Sequence, residues 1–255
     1  VADRAAAPAG ALVVDLDGTL YRGDSPVRGY AAHTAALLPV GQATELTAAL
    51  DGFLTGTPAD PELAAAQDGW EAVLLLAARY GLDREALQGA FLASRTGLAD
   101  GSSAVEVPVG LVELLAELRA THLLVLATNS PRAGLLDLLA RLGVTGSFDE
   151  IAFSARKPAG LAPLLRRLLG DLGAADQPWR AFSLGDHWVN DIEPALRLGT
   201  ATGYVDRFGR AAGPAHVTAP TVTELLPAIR SWAADPAGFI RQRGDICPQW
   251  SSGAG

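Results

Sequence analysis

Five short apolar runs, most of them separated by helical patterns, constrain the fold of this chain more than any single residue does. They are Ala11 to Val14, Leu123 to Ala127, Ile151 to Phe153, Ala181 to Leu184 and Ala201 to Val205. Short, apolar and rich in branched residues, they match strands buried on both faces. Between them leucines recur at helical spacing. Leu111, Leu114, Leu115 and Leu118 share one face, as do Leu135, Leu138, Leu139 and Leu142, and then Leu161, Leu164, Leu165 and Leu168. A further helix is expected over roughly Ile192 to Leu198. Strands alternating with helices of this length predict an α/β fold built on a doubly wound parallel sheet. In such sheets a ligand lies beyond the carboxyl ends of the strands.

The residues at those ends are chemically distinctive. The first run leads into Asp15-Leu16-Asp17-Gly18-Thr19, and the second into Thr128-Asn129-Ser130-Pro131. Lys157 follows the third, and Gly185-Asp186 follows the fourth, with Asp191 five residues on. Alternation along an extended chain puts Asp15 and Asp17 on one side. Like charges that close repel unless a cation lies between them or one keeps a proton. A hard divalent metal meets the first condition; an Asp-Gly turn closing a hairpin is the competing reading. Ser130 before Pro131 has the form of an N-cap followed by a first-turn proline, which predicts a helix start whose free N–H groups suit an anion. Lys157 is the only lysine among 20 Lys and Arg residues. In a chain that uses Arg for every other cation, a retained lysine indicates a need for a compact, single-point ammonium.

Residues from about Gly23 to Val107 break the alternation. Helices are expected at Ala31 to Leu38, Gln42 to Leu50, Pro61 to Tyr80 and Arg84 to Ser94. Gly23-Asp24-Ser25-Pro26 and Gly97 to Ser103 bracket them with linker-like composition. An insertion of this kind could close over the sheet edge as a lid or pack as a fixed subdomain. The expected division is a core over 1–22 and 108–232, a helical cap over 23–107, and a C-terminal tail over 233–255, where Cys247 and Trp250 show no clear period.

Composition narrows the partners. The chain of 255 residues is 49% apolar and 19% charged, which is globular rather than disordered. A formal charge of −8 argues against nucleic acid or an anionic membrane surface. No apolar run reaches the roughly 18 residues of a membrane span, and Val1-Ala2-Asp3-Arg4 lacks a signal-peptide layout. Cys247 is the only cysteine, so no internal disulfide can form. The four histidines are scattered without zinc-site spacing. A soluble, cytoplasmic protein is expected, as a monomer or homodimer.

Taken in order, these motifs resemble the haloacid dehalogenase-like hydrolase superfamily. Its first motif, Asp-x-Asp-x-Thr, is matched by Asp15, Asp17 and Thr19, its second by Thr128, and its third, a Lys often before Pro, by Lys157-Pro158. Its fourth, Gly-Asp followed by four residues and Asp, is matched by Gly185, Asp186 and Asp191. The long stretch between Asp17 and Thr128, against the short one between Thr128 and Lys157, places the insertion where this family carries a helical cap on its Rossmann-like core. The chain departs from the usual pattern at Ala159-Gly160, where relatives carry an acidic residue, and at His187 and Trp188, which are bulky for that loop.

The resemblance implies phosphoryl transfer through an aspartyl-phosphate. Asp15 would be the nucleophile and Asp17 the general acid and base. Thr128, Asn129 and Lys157 would bind phosphate. Mg2+ would be held by Asp15 and Asp186, with Asp191 direct or one shell out, and by the backbone carbonyl of Asp17. Branches that displace halide lack a carboxylate at the second position, so Asp17 favours a phosphate ester of a small metabolite over a haloacid. A sugar phosphomutase, which shares the pair, and a catalytically silent binding module are the remaining alternatives. Trp70, Arg79, Tyr80 and Arg95 are cap candidates for substrate recognition by residue type alone.

Overall fold

A computed structural model describes residues 7–244. The chain divides into two compact units, the first made of Val1–Leu20, Pro108–Ser130 and Gly146–Gly255, the second of Tyr21–Val107 and Pro131–Thr145. Six strands lie in the first: β1 (Gly10–Val14), β2 (His122–Ala127), β3 (Glu150–Ala152), β4 (Ala181–Gly185), β5 (Ala201–Val205) and β6 (Val217–Ala219). Between β1 and β2 run α1 (Ser25–Ala35), α2 (Val40–Leu54), α3 (Pro61–Ala65), α4 (Gly69–Arg79), α5 (Arg84–Asp100) and α6 (Leu111–Arg119). Then α7 (Leu135–Arg141), α8 (Leu161–Asp171) and α9 (Glu193–Leu198) precede β3, β4 and β5 in turn. Two more, α10 (Val222–Ala234) and α11 (Pro236–Arg243), follow β6.

The strands pair in the order β3-β2-β1-β4-β5-β6, every pair parallel. This is the doubly wound sheet expected from the alternating runs. It also removes the hairpin reading of Asp17-Gly18, because β1 has only parallel neighbours. All five residues of β1 are buried, as a strand covered on both faces requires. On one face Ala11, Val13, Val125 and Ala127 form a cluster with Leu161, Leu165, Leu168 and Leu169 of α8. On β4, Phe182 meets Trp232 of α10 at 5.2 Å and Phe239 of α11 at 5.9 Å between ring centroids.

The runs did not signal β6, because Val217–Ala219 is three residues long and only half-buried. Nor did α11 stand out. Its start is a local side-chain bond, Asp235 Oδ1 accepting from Gly238 N at 2.8 Å, and Phe239 is its main buried anchor. Cys247 and Trp250 lie outside the described residues.

In the second unit three helices, α3, α4 and α5, begin on capping aspartates. Asp60, Asp68 and Asp83 accept from the N–H groups of Leu63, Glu71 and Ala86 at 2.9, 2.7 and 2.8 Å. The single helix expected from Pro61 to Tyr80 is therefore two. Asp68 caps a new start, and Glu71 Oε2 reaches back to Gln67 N at 2.7 Å in a reciprocal cap. Helix α5 runs through Gly97 and ends at Gly101, whose φ of +85° is the left-handed conformation of a helix stop. The segments by which the long insertion leaves and returns pair at Arg22 and Glu106, with backbone bonds of 2.9 and 3.1 Å. Among the described residues no helix is long and apolar enough to cross a membrane.

Trp232 is fully buried, touches Phe182 and His122, and donates Nε1–H to the Trp179 carbonyl at 2.8 Å. Trp232→Ala is expected to destabilise the sheet unit by about 3–5 kcal/mol through cavity formation. A fall in the denaturant midpoint measures it, and an unchanged midpoint would contradict this packing.

Candidate active site

The strand order fixes where the site lies. Successive strands leave β1 toward β2 and β3 on one side and toward β4, β5 and β6 on the other, so the carboxyl end of β1 is the topological switch point. Val14 is level with Leu126 of β2 and Leu184 of β4. Asp15 N makes the next bond, to Leu184 O at 2.9 Å, before the chain turns with Leu20 N bonded to Leu16 O at 3.0 Å.

Three carboxylates converge here. Asp15, Asp186 and Asp191 each offer an oxygen within 4.8 Å of the others. Two glycines make the approach possible. Gly18 has φ +79°, and a Cβ there would overlap the Asp186 carboxylate; a Cβ on Gly185 would overlap Asp191. The turn Trp188–Ile192 is wound as a π-helix and carries Asp191 back toward β4. Ser183, buried within β4, donates to Asp191 O at 2.7 Å, and His187 N donates to Asp191 Oδ2 at 3.2 Å. Trp188 packs away from this chemistry, among Ile192, Leu196 and Tyr204, with Nε1–H on the Pro214 carbonyl.

Lys157 binds the carboxylates together. Its Nζ lies 2.5 Å from Asp15 Oδ1 and 2.6 Å from Asp191 Oδ1, and its side chain is only 4% exposed. Burial opposes charge on the ammonium, but the facing carboxylates of Asp15 and Asp191 outweigh it and hold the lysine above its ordinary range. Burial pushes the Asp15 carboxyl up to about 7; Lys157 opposes the rise, while Asp191 and Asp17 add to it.

The second strand end supplies three consecutive side chains. Thr128 is buried, and its Oγ1 accepts from Ser130 N at 3.0 Å. Ser130 Oγ donates to Asp17 Oδ2 at 3.3 Å. The N-cap expected of Ser130-Pro131 is not formed. The next helix, α7, begins at Leu135 after Gly134, and the Ser130 hydroxyl donates to Asp17 instead. Asn129 does not point its amide at an open edge. Its Oδ1 accepts from Lys157 N at 2.7 Å and its Nδ2 donates to Lys157 O at 3.0 Å. Gly160, the departure noted after Lys157-Pro158, is required locally, since a Cβ there would collide with Ala155 O.

All seven residues singled out at the strand ends (Asp15, Asp17, Thr128, Asn129, Lys157, Asp186 and Asp191) belong to the first unit and gather at this edge. Sequence reasoning missed the supporting role of Ser183, although a serine inside an otherwise apolar strand was its visible signal. Of the cap candidates, Arg79 forks onto Asp60 at 2.7 and 3.0 Å and reaches Glu62 at 2.9 Å, while Tyr80 donates to Glu45 at 3.1 Å. Arg95 is buried, its guanidinium 4.4 and 4.5 Å from the ring centroids of Trp70 and Phe91.

The donor set suits a hard divalent cation. Two carboxylates face the ammonium and Asp186 lies beside them, so all the donors are oxygen, the ligand type that Mg2+ takes. The space kept open by Gly18 and Gly185 lets Asp15, Asp186 and Asp191 bring one oxygen each within 4.8 Å of the others, where they could hold one ion.

No curated protein matches the chain. Several solved structures share its fold. A predicted phosphatase from Clostridium acetobutylicum is 20% identical, with 88% of this chain and 99% of that chain covered and a TM-score of 0.59. The HAD-hydrolase YfnB from Bacillus subtilis, bound to magnesium, is 16% identical over 88% and 99% of the two chains, with a TM-score of 0.56. An L-2-haloacid dehalogenase from Xanthobacter autotrophicus is 18% identical over 87% and 98%, with a TM-score of 0.50. At these identities the likeness is one of fold. The family model described as haloacid dehalogenase-like hydrolase matches residues 9–199, which contain every motif gathered at the sheet edge, and the chain belongs to that family.

Proposed function

We propose that this hydrolase is a Mg2+-dependent phosphatase of a small phosphorylated metabolite, working through an aspartyl-phosphate on Asp15. The observation that carries the reading is Asp17, a second carboxylate two residues beyond Asp15, oriented by Ser130 Oγ at 3.3 Å. A halide leaves without a proton, so a proton donor at this position has work only if the leaving group is an alkoxide.

An Asp15 carboxylate oxygen attacks phosphorus as the bond to the leaving oxygen breaks, and Asp17 gives its proton to that oxygen. Asp17 then takes a proton from water, whose oxygen attacks phosphorus. The Asp15–phosphorus bond breaks, releasing inorganic phosphate and the free carboxylate. Lys157 and Thr128 hold the phosphoryl oxygens, so the charge that spreads over them meets fixed donors. Asp15, Asp186 and Asp191 would hold Mg2+, which when bound supplies positive charge to offset the carboxylates and the phosphoryl group.

The purified protein is expected to release phosphate from an aryl phosphate in the presence of Mg2+, and to stop when a chelator is added. Asp15→Asn should abolish turnover, and Asp17→Asn should reduce it by about 10²–10⁴-fold, the usual worth of a positioned acid or base. Halide release from a 2-haloacid with no phosphate release would overturn the reading.

Metal binding has a readout independent of turnover. Mg2+ should raise the thermal midpoint of the wild-type protein, because an ion that binds only the folded state stabilises it. In Asp186→Asn that rise should shrink or vanish. An equal rise in both proteins would place the ion elsewhere.

A further inference from the structure

We infer that Asn129 is a positioning residue that acts through Lys157 rather than on the substrate; the inference rests on the phosphatase reading. The Asn129 amide spans the backbone of residue 157, accepting from its N–H at 2.7 Å and donating to its C=O at 3.0 Å. A backbone N–H only donates and a carbonyl only accepts, so the two bonds fix which way the amide faces.

The lysine needs such a hold. Ser154 and Arg156, both non-glycine residues, have φ of +46° and +54°. Left-handed backbone at such residues persists only where surrounding bonds over-determine it. Besides Gly160 N donating to Arg156 O at 2.9 Å, those bonds come from the strand-end segment 128–130. Thr128 N donates to Ala152 O at 3.0 Å, Ala155 N to Thr128 O at 2.8 Å, and Ser154 N to Ser130 O at 3.0 Å. These three stop at residue 155. Asn129 alone among the three consecutive residues reaches 157, the residue whose ammonium must sit between Asp15 and Asp191 at 2.5 and 2.6 Å.

A long flexible side chain can place its ammonium within a few tenths of an ångström only if its own backbone is fixed. The pair of bonds at residue 157 removes that freedom at the root of the side chain. Thr128, Asn129 and Ser130 thus divide their work. Thr128 remains at the phosphate position, Asn129 sets the lysine, and Ser130 sets Asp17.

A double-mutant cycle separates this role from direct phosphate binding. Wild type, Asn129→Ala, Lys157→Ala and the double variant of the full chain are compared on p-nitrophenyl phosphate with Mg2+, with enzyme in excess so that slow variants stay measurable. Asn129→Ala alone is expected to lower the rate by about 10–100-fold, the usual cost of losing a residue that orients a functional one. In the Lys157→Ala background the same change should cost about twofold or less, because the lysine it serves is gone. Losses that multiply would overturn the inference and make Asn129 a phosphate ligand. Asn129→Ser, which cannot make both bonds, repeats the cycle should the alanine variant not fold. Amide hydrogen exchange at Lys157 gives a reading that needs no turnover. It should quicken severalfold in either Asn129 variant, and unchanged exchange would exclude the clamp. Failure of the wild-type protein to hydrolyse the aryl phosphate would count against the phosphatase reading, while the exchange result would still decide the clamp.

Discussion

One ammonium lies between two carboxylates that the chain brings from distant points, and the rest of the site depends on it. Lys157 Nζ contacts Asp15 beyond β1 and Asp191 beyond β4, with all three side chains nearly removed from water. In that setting an uncompensated charge is costly. Breaking a buried pair by deleting one partner typically costs about 3–5 kcal/mol. The same contact explains why the only lysine of an arginine-rich chain stands here. A guanidinium is a planar fork suited to one carboxylate face-on, whereas two carboxylate oxygens converging on one atom need a point charge. The lysine contacts only Asp15 and Asp191, so the Asp186 carboxylate remains beside them, and this all-oxygen set suits a hard divalent cation.

The sheet makes that concentration of charge possible. Parallel strands deliver their loops to one edge, and the reversal of strand order at β1 opens space between the loops after β1 and β4. Within that space the limiting quantity is atomic volume. Gly18 and Gly185 are the positions where a single methyl group would displace Asp186 and Asp191. Ser183 extends the same logic into the strand, giving a buried hydroxyl to the Asp191 carbonyl so that the π-helical turn returns its carboxylate to the edge. Burial of β1 on both faces serves the same end, since Asp15 follows directly on it and its N–H continues the ladder to Leu184 O at 2.9 Å.

How much of this was legible in the sequence follows from the range of each interaction. The buried strands and the strand-end carboxylates were legible because burial leaves apolar runs and chemistry leaves rare residue types. Helix α4 was hidden inside a longer periodic stretch because its start depends on a reciprocal bond between Asp68, Glu71 and Gln67, a local device that hydrophobic spacing does not register. Strand β6 is too short and too little buried to leave a pattern, and helix α11 starts on a local side-chain bond that hydrophobic spacing does not register. Ser130 shows a different failure. Ser-Pro is the same dipeptide whether the hydroxyl caps its own helix or turns to a distant carboxylate, and only the fold brings Asp17 within reach. Asn129 likewise carries an amide whose partner, the backbone of residue 157, has no sequence signature at all. Arg79 and Tyr80 looked like recognition residues by type, yet their partners Asp60, Glu62 and Glu45 are surface acids supplied by neighbouring helices.

An L-2-haloacid dehalogenase and a predicted phosphatase both share the fold of this chain, at 18% and 20% identity. Architecture therefore cannot choose between them, and the choice must rest on atoms near the leaving group. A nucleophilic carboxylate and a lysine serve either displacement, because both need an attacking oxygen and a counter-charge. What differs is the fate of the departing group: halide leaves as a stable anion, whereas an alkoxide needs a proton at the moment of cleavage. On the reading proposed above, that difference attaches to Asp17, to which Ser130 Oγ donates. The segment 128–130 thereby touches both halves of the problem, the lysine through Asn129 and the acid through Ser130.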